Sequence, residues 1–236
     1  MKKLKVIHIS DTHGFIPNID KFPCGDILIY SGDADCNPNY HKNNLAKLTP
    51  CLEELNDFFQ DLLDKKKFKK IIFVPGNHDF IFQNFEVEAR YILNAATVLI
   101  DEEYEYGGFK FYGSPQTPAF CDWSFNRTQD ELKEIWKDIP SDTDILVTHG
   151  PPQGILDQTG RGLNEHLGCP ALALRITQLK LKLHCYGHIH GGGNSIIDIN
   201  GTTFSNASIM DESYSPTQSY NEFELTSKNG NSSEDI

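Results

Sequence analysis

The most informative stretch of the sequence is Phe73-Val74-Pro75-Gly76-Asn77-His78-Asp79. An apolar run ends at a Pro-Gly break, after which an amide, an imidazole and a carboxylate occupy consecutive positions. This order predicts a buried strand that ends in a tight loop at a polar site. Asn77 offers a neutral oxygen to a metal ion, His78 exchanges a proton near neutral pH, and Asp79 can anchor a neighbouring imidazole.

Other apolar runs of the chain are also followed by groups that bind metal ions. Taken singly, such residues are ordinary turn formers or ordinary histidines, but their repetition after each predicted strand outweighs that explanation. Because loops at the carboxyl ends of strands meet at one edge of an open α/β sheet, we expect the groups to form one cluster. The runs and groups are residues 4–9 with Asp11 and His13, 26–30 with Asp33, 71–74 with Asn77, 144–148 with His149, and 183–186 with His188 and His190.

Helical patterns separate several of these runs. We predict a first helix that is capped by Thr49, has Pro50 in its first turn and ends in the basic run 65–67. A strand, a helix and a further strand in this order imply a parallel pair. The remaining predictions are a helix-like segment at 85–93, a hairpin around residues 107–108, an irregular loop at 114–126, helices that begin at Thr128 and Cys169, and edge strands at 195–199, 202–205 and 222–225.

Composition limits the domain organisation and the partners. The 236 residues, 39% of them hydrophobic, predict one domain over residues 1–226, followed by a polar, disordered tail at 227–236. A formal net charge of -12 opposes binding to long nucleic acids or anionic membranes, and no segment is apolar enough for a membrane span. The six scattered cysteines, with no C-x-x-C pair and no signal-peptide core, predict reduced thiols in a cytoplasmic protein.

The chemistry of the expected cluster favours two metal ions. Imidazoles, carboxylates and an amide oxygen without a thiolate favour manganese, iron or zinc in an open catalytic site over a sealed structural zinc. Seven ligands are too many for one ion that also holds water and substrate, whereas two ions ~3.5–4 Å apart can share a carboxylate. Two such cations lower the pKa of a shared water and clamp a phosphoryl group for in-line attack by hydroxide.

In order, the blocks Asp11-x-His13, Gly32-Asp33, Gly76-Asn77-His78-Asp79, His149 and Gly187-His188-x-His190 resemble the signature of the calcineurin-like metallophosphoesterases. Stretches such as residues 148–152 and 206–208 resemble the small metallophosphoesterase-domain-containing proteins of animal brain. The resemblance implies a four-layer α/β sandwich of two mixed β-sheets flanked by helices.

The resemblance also implies a role for each site residue. Asp11, His13 and His190 would hold the first ion, and Asn77, His149 and His188 the second. Asp33 would bridge the two ions. His78, held by Asp79, would donate a proton to the leaving group.

We therefore expect a dinuclear-metal phosphodiesterase that cleaves a small substrate such as a cyclic nucleotide. A phosphomonoesterase or protein phosphatase is the alternative, although a protein phosphatase usually needs longer substrate-groove loops. A nuclease is opposed by the negative charge, and a non-catalytic scaffold would not need His78. Arg127 and Arg161 either meet the substrate phosphate or lie in exposed ion pairs. Structural or surface positions are expected for the other histidines: His8, His41, His166 and His184.

Overall fold

A computed structural model describes residues 2–34, 42–160 and 165–227. The helices are α1 (Leu45–Asp64), α2 (Phe80–Asn84), α3 (Glu86–Ile92), α4 (Gln129–Ile135) and α5 (Pro170–Ile176). The strands are β1 (Lys3–Ile9), β2 (Ile27–Tyr30), β3 (Lys70–Phe73), β4 (Thr97–Val98), β5 (Glu102–Tyr106), β6 (Phe109–Ser114), β7 (Thr117–Pro118), β8 (Asn126–Arg127), β9 (Ile145–Thr148), β10 (Leu183–Tyr186), β11 (Ser195–Ile199), β12 (Thr202–Asn206) and β13 (Asn221–Thr226).

The strands form two large mixed sheets. Within the described residues, the first sheet has the order β13-β1-β2-β3-β4, and the second has the order β11-β12-β10-β9-β6-β5. Strands β1 to β4 run parallel, as do β12, β10, β9 and β6, while β13, β11 and β5 are antiparallel at the edges. The apolar runs that precede the site groups are therefore the central parallel strands, which are buried on both faces.

Apolar packing joins the sheets and helices into four layers. Residues such as Val6, Ile29 and Val147 fill the space between the two sheets. On the outer face of the first sheet, α1 buries Leu52 and Phe59 among a large apolar cluster. Trp136, Leu146 and Leu172 belong to a third cluster, which packs α4 and α5 on the second sheet. This arrangement confirms the expected sandwich of two mixed sheets flanked by helices.

The predicted start of α1 is wrong. The helix begins at Leu45, and the hydroxyl of Thr49 donates to the carbonyl of Leu45 inside the helix instead of capping it. Burial of Leu48 extends the apolar face toward the amino terminus, so packing holds the extra turn. Pro50 lacks only the one N–H that would bond to residue 46.

Other local predictions were confirmed or refined. Thr128 forms the predicted capping box with Glu131, and β5 and β6 form the predicted hairpin. The segment predicted as one helix at 85–93 forms α3, and the short helix α2 precedes it. The predicted irregular loop contains the small β7–β8 pair.

The carboxyl-terminal boundary is described only in part. Ser227 is buried, and its N–H donates to the carbonyl of Lys2 at 3.0 Å. Residues 228–236 lie outside the described ranges, so disorder of the tail remains a prediction. In the part of the chain that is described, no helix combines the length and the apolarity that a bilayer crossing requires.

Candidate metal centre and active site

The structure brings all of the predicted ligand groups to the carboxyl ends of the parallel strands. The first sheet contributes loops after β1, β2 and β3, and the second contributes loops after β9 and β10. Three overlapping sets of side chains have potential ligand atoms within 4.8 Å of one another: Asp11, His13 and His190; His13, Asp33 and His78; and Asp33, His149 and His188. The centre is therefore built between the two sheets.

Several of these side chains are presented from unusual backbone conformations. Asp11, His13, Asp33 and His188 have φ angles of 52°, 44°, 56° and 66°, in the left-handed region that non-glycine residues seldom adopt. Such conformations cost free energy and persist where the surrounding structure imposes them, often at functional sites. The loops are also closely packed, because a Cβ on Gly187 would lie 1.9 Å from Oδ2 of Asp11.

One half of the centre contains Asp11, His13 and His190, referred to below as the outer cluster. Nε2 of His190 lies 3.5 Å from Oδ1 of Asp11 and 3.3 Å from Nε2 of His13. Two imidazole nitrogens bound to the same metal ion, each at about 2.1 Å, lie roughly this far from each other. Nδ1 of His190 donates to the carbonyl of Asp211 at 3.0 Å, which leaves Nε2 with a lone pair directed at the cluster.

The other half contains Asn77, His149 and His188, referred to below as the inner cluster. Nε2 of His149 lies 2.8 Å from Oδ1 of Asn77 and 3.3 Å from Oδ2 of Asp33. Its Nδ1 donates to the carbonyl of Ser31 at 2.8 Å, so the ring orientation is fixed by backbone. Both His149 and Asp33 are buried. Together with Asn77 they offer one nitrogen and two oxygen atoms close to one another, a donor set that suits a cation.

Asp33 lies between the two clusters. Its Oδ2 is 3.8 Å from Nε2 of His13 in the outer cluster and 3.3 Å from Nε2 of His149 in the inner cluster. Its Oδ1 accepts the backbone N–H of His78 at 2.8 Å. One carboxylate thus reaches both halves of the centre while its second oxygen is held by a backbone hydrogen bond.

The electrostatics of the centre favour negative carboxylates. Burial opposes the ionisation of Asp11, but the hydrogen bond with His190 and the nearby histidine charges outweigh it and lower its pKa to about 2. Burial likewise opposes the ionisation of Asp33, and the charges of His149 and His78 keep its pKa well below the usual range. Two buried carboxylates in this state attract cations.

The imidazoles divide into two electrostatic types. Burial lowers the pKa of both His13 and His188 to about 4, so these rings are neutral near pH 7, as metal ligands must be. For His149, burial opposes protonation, but the charge of Asp33 and their contact raise the pKa to about 9. The same negative charge that holds a proton on His149 would favour a metal ion in its place.

The ring of His78 is held by an aromatic contact. Nδ1 of His78 is buried and has no hydrogen-bond partner among the described residues, so Asp79 does not anchor the ring through this nitrogen as expected. The ring stacks on Trp123 with centroids 4.1 Å apart, and Nε2 lies 3.9 Å from Oδ2 of Asp33.

The carboxylate of Asp79 ties the loops together instead. It accepts the backbone N–H groups of Asp33 at 2.9 Å, Ala34 at 3.0 Å and Gly76 at 2.7 Å. Asp79 therefore fixes the loop after β3 against the loop after β2.

Three residues that sequence patterns missed complete the surroundings of the centre. Trp123 holds His78, Asp211 orients His190, and the ring of Tyr214 lies over His13 and His190 with centroid distances of 4.9 and 5.0 Å. Trp123 belongs to the irregular loop predicted at 114–126, to which no site residue was assigned. Asp211 and Tyr214 lie several residues after the end of β12, so they do not belong to the repeated pattern of a strand followed directly by a ligand group.

The remaining candidate residues lie away from the ligand groups or outside the described ranges. His8 and His184 are buried within β1 and β10, in agreement with structural roles. His166 pairs with the buried Asp157, with Nδ1 2.5 Å from Oδ1. Nη1 of Arg127 donates to the carbonyl of Asn126. His41 and Arg161 fall on residues that the structure does not describe.

Comparison with known proteins agrees with this centre. A sequence model of the calcineurin-like phosphoesterases matches residues 4–192. UPF0046 protein K07C11.7 of Caenorhabditis elegans is 33% identical over 86% of this chain and 69% of its own length. Human metallophosphoesterase domain-containing protein 1 is 30% identical over 90% of this chain and 68% of its own length. The crystal structure of TT1561 of Thermus thermophilus has the same fold, with a TM-score of 0.55 and 14% identity over 86% of this chain and 88% of that one.

The fold and the cluster of buried carboxylates and imidazoles define a metal-dependent phosphoester hydrolase. The chain belongs to the calcineurin-like phosphoesterase family. Members of this family use divalent metal ions, and the donor set described above suits them.

Proposed function

We propose that the protein is a phosphodiesterase with two divalent metal ions, acting on a small substrate. Asp11, His13 and His190 would hold the first ion and Asn77, His149 and His188 the second, with Asp33 as the bridge. The observation that carries this assignment is the position of Asp33 Oδ2 within 3.8 Å of an imidazole nitrogen from each cluster. We expect manganese ions, with iron or zinc as the alternatives. When bound, such ions supply a nucleophile near neutral pH and neutralise charge on the phosphoryl oxygens.

The residues of the chain supply positioning and proton transfer. His78 would donate a proton from Nε2 to the departing oxygen, since its Nδ1 is enclosed and its ring is held against Trp123. Asp79 would act by fixing the loop that presents His78, through its hydrogen bonds to Asp33, Ala34 and Gly76. Packing against Trp123 would therefore fix the direction of the proton donor.

The charge of the centre supports a diester over a monoester. In the described ranges, no lysine or arginine side chain hydrogen-bonds or pairs with His78 or with the proposed ligands. A phosphomonoester brings a second negative charge, which usually calls for such a cationic partner. A diester brings one negative charge, and the metal ions alone would balance it.

The test is a comparison of bis(4-nitrophenyl) phosphate with 4-nitrophenyl phosphate, with added manganese and, in parallel, iron or zinc. We expect a higher kcat/KM for the diester, and Asp33→Asn is the control for contaminating activity. A higher kcat/KM for the monoester would support the phosphatase alternative. Two bound ions without turnover of either ester would support the scaffold alternative.

We also propose that the protein acts in the cytoplasm on a small molecule. The six cysteines are scattered and include no C-x-x-C pair, a pattern typical of reduced thiols in a reducing compartment. The net charge of -12 opposes long anionic partners. Fractionation of cells that express the tagged full chain would test the location, and recovery with membranes would contradict it.

A further inference from the structure

Tyr214 is a large aromatic side chain at the rim of the centre, and the proposed mechanism does not use it. Its ring contacts the rings of His13 and His190 in an edge-on arrangement, with interplanar angles of 63° and 70°. Nevertheless 55% of the residue remains exposed. A ring that touches two proposed metal ligands and still faces solvent lies where a bound substrate would enter.

The loop around Tyr214 holds this ring in place. The backbone N–H of Tyr214 donates to the carbonyl of Asp211 at 2.9 Å, and the same carbonyl accepts Nδ1 of His190 at 3.0 Å. The carboxylate of Asp211 accepts the backbone N–H groups of Ser213 and Ser215 and the hydroxyl of Thr217, at 2.8, 3.0 and 3.0 Å. The position of Tyr214 and the orientation of His190 thus depend on one residue.

The backbone of Tyr214 is also strained. Its φ angle is 56°, a left-handed conformation that is unfavourable for a bulky residue. Glycine or asparagine would satisfy the same turn at lower cost. Strain of this kind is found at ligand clamps, where the direction of the side chain matters more than the cost.

Trp123, on another side of the centre, provides a contrast. Its ring face is stacked on His78 at 4.1 Å, so this aromatic residue supports a residue of the chain itself. Tyr214 meets the imidazoles at an edge, and its residue is 55% exposed.

We propose that Tyr214 is a specificity-determining residue that receives a planar ester group of the substrate. The preferred substrates would then be phosphodiesters that carry an aromatic or heteroaromatic group beside the phosphate. This inference rests on the proposed function, because it places the phosphate at the two metal ions. The planar group would pack on the exposed part of the ring in an offset or edge-on contact, as aromatic pairs prefer.

The test measures binding, so it does not depend on turnover. The probes are methyl phosphate and 1-naphthyl phosphate, the monoester products that diesters carrying these groups would leave, and their dissociation constants would be measured by calorimetry on manganese-loaded protein. We expect the parent protein to bind 1-naphthyl phosphate ~10-fold more tightly. Tyr214→Leu should abolish this preference, and Tyr214→Phe should keep it because the ring remains.

Controls separate recognition from other roles of the residue. Tyr91 is an exposed tyrosine on α3, and Tyr91→Leu should leave both affinities and the turnover unchanged. Tyr214→Gly removes the ring and relieves the positive φ, so it replaces Tyr214→Leu if that variant does not fold. Metal content is measured on every variant.

Three results would overturn the inference. In the first, the parent protein binds the two ligands with equal affinity. In the second, loss of the ring lowers the affinity for both ligands by the same factor and also lowers the metal content, which would mean that Tyr214 shields the outer cluster. Loss of the preference in Tyr214→Phe would assign it to the hydroxyl. If the aromatic preference is present but no diester is hydrolysed, the recognition stands and the proposed function fails. If diesters are hydrolysed but the aromatic preference is absent, the proposed function stands and the role of Tyr214 in recognition fails.

Discussion

Two groups of histidines lie within the same strands or just after them, yet their surroundings differ. His8 and His184 lie within β1 and β10, whereas His13, His188 and His190 lie in the loops that follow these strands. Nδ1 and Nε2 of His8 contact the hydroxyls of Ser205 and Ser31 at 2.7 and 2.9 Å. The loop histidines face the carboxylates of Asp11 and Asp33 instead.

The difference shows that burial alone does not make a histidine a ligand candidate. His8 connects β1 of the first sheet to β12 of the second through neutral groups, so it needs no charge. Burial lowers the pKa of both His8 and His184 to about 3, which keeps their rings neutral. The loop rings surround fixed negative charge, and only a cation or a proton balances that charge in a buried place.

The largest expected effect is that of Asp33→Asn, compared with Asp11→Asn. If Asp33 bridges the clusters, its charge serves both ions, whereas that of Asp11 serves one. The asparagine oxygen can still accept the N–H of His78, so the loop should keep its conformation. Metal content after dialysis should fall toward zero ions per chain for Asp33→Asn and toward one for Asp11→Asn. Equal metal content with equal residual activity would remove the bridging assignment.

A smaller effect is expected for His78→Asn, which should keep both ions and lower turnover by ~10²–10⁴-fold, the usual range for loss of a general acid. His78 and Asn77 are adjacent, but Asn77 faces His149 while His78 faces Trp123 and Asp33. Metal content and kcat would be measured together. Loss of an ion would make His78 a ligand, in line with the set that it forms with His13 and Asp33.

The leaving group provides the control for the role of His78. A nitrophenolate departs almost without a proton, whereas an alkoxide needs one, so the variant should be less impaired on the nitrophenyl ester. If the two substrates suffer equally while both ions remain, His78 stabilises charge on the phosphate instead of donating a proton.

Sequence patterns predicted the strand ends, and the seven groups that they singled out lie together there because each follows a buried apolar run. Sequence patterns did not predict contacts between residues that are far apart in the sequence. Asp79 follows His78, yet its carboxylate binds backbone groups of Asp33, Ala34 and Gly76. Tyr214 reaches the centre from a turn far along the chain, and only the folded structure places it over His13 and His190. The start of α1 was misplaced because packing of Leu48 outweighed the capping signal at Thr49.

The smallest expected effect concerns the pH dependence of stability and His184. A buried group whose pKa is lowered from 6.5 to about 3 stabilises the fold above pH 6.5, and this contribution is lost as the pH falls through that range toward 3. Between pH 7 and pH 5, we expect His184 to remove about 2 kcal/mol from the free energy of unfolding, and His8 a similar amount. Urea unfolding at both pH values, in the presence of a chelator, measures this loss.

His184→Leu is the variant that sharpens the comparison. The hydroxyl of Thr148 lies 2.9 Å from Nε2 of His184 and also donates to the carbonyl of Gly150, so it keeps a partner when the imidazole is removed. Nδ1 of His184 is buried without a hydrogen-bond partner among the described residues, and its removal offsets part of the lost packing. Because leucine does not titrate, the free energy of unfolding of this variant should fall by about 2 kcal/mol less between pH 7 and pH 5 than that of the parent protein. An unchanged fall would mean that His184 is protonated in the folded protein, and loss of a metal ion from His184→Leu would extend the centre from the loops into β10.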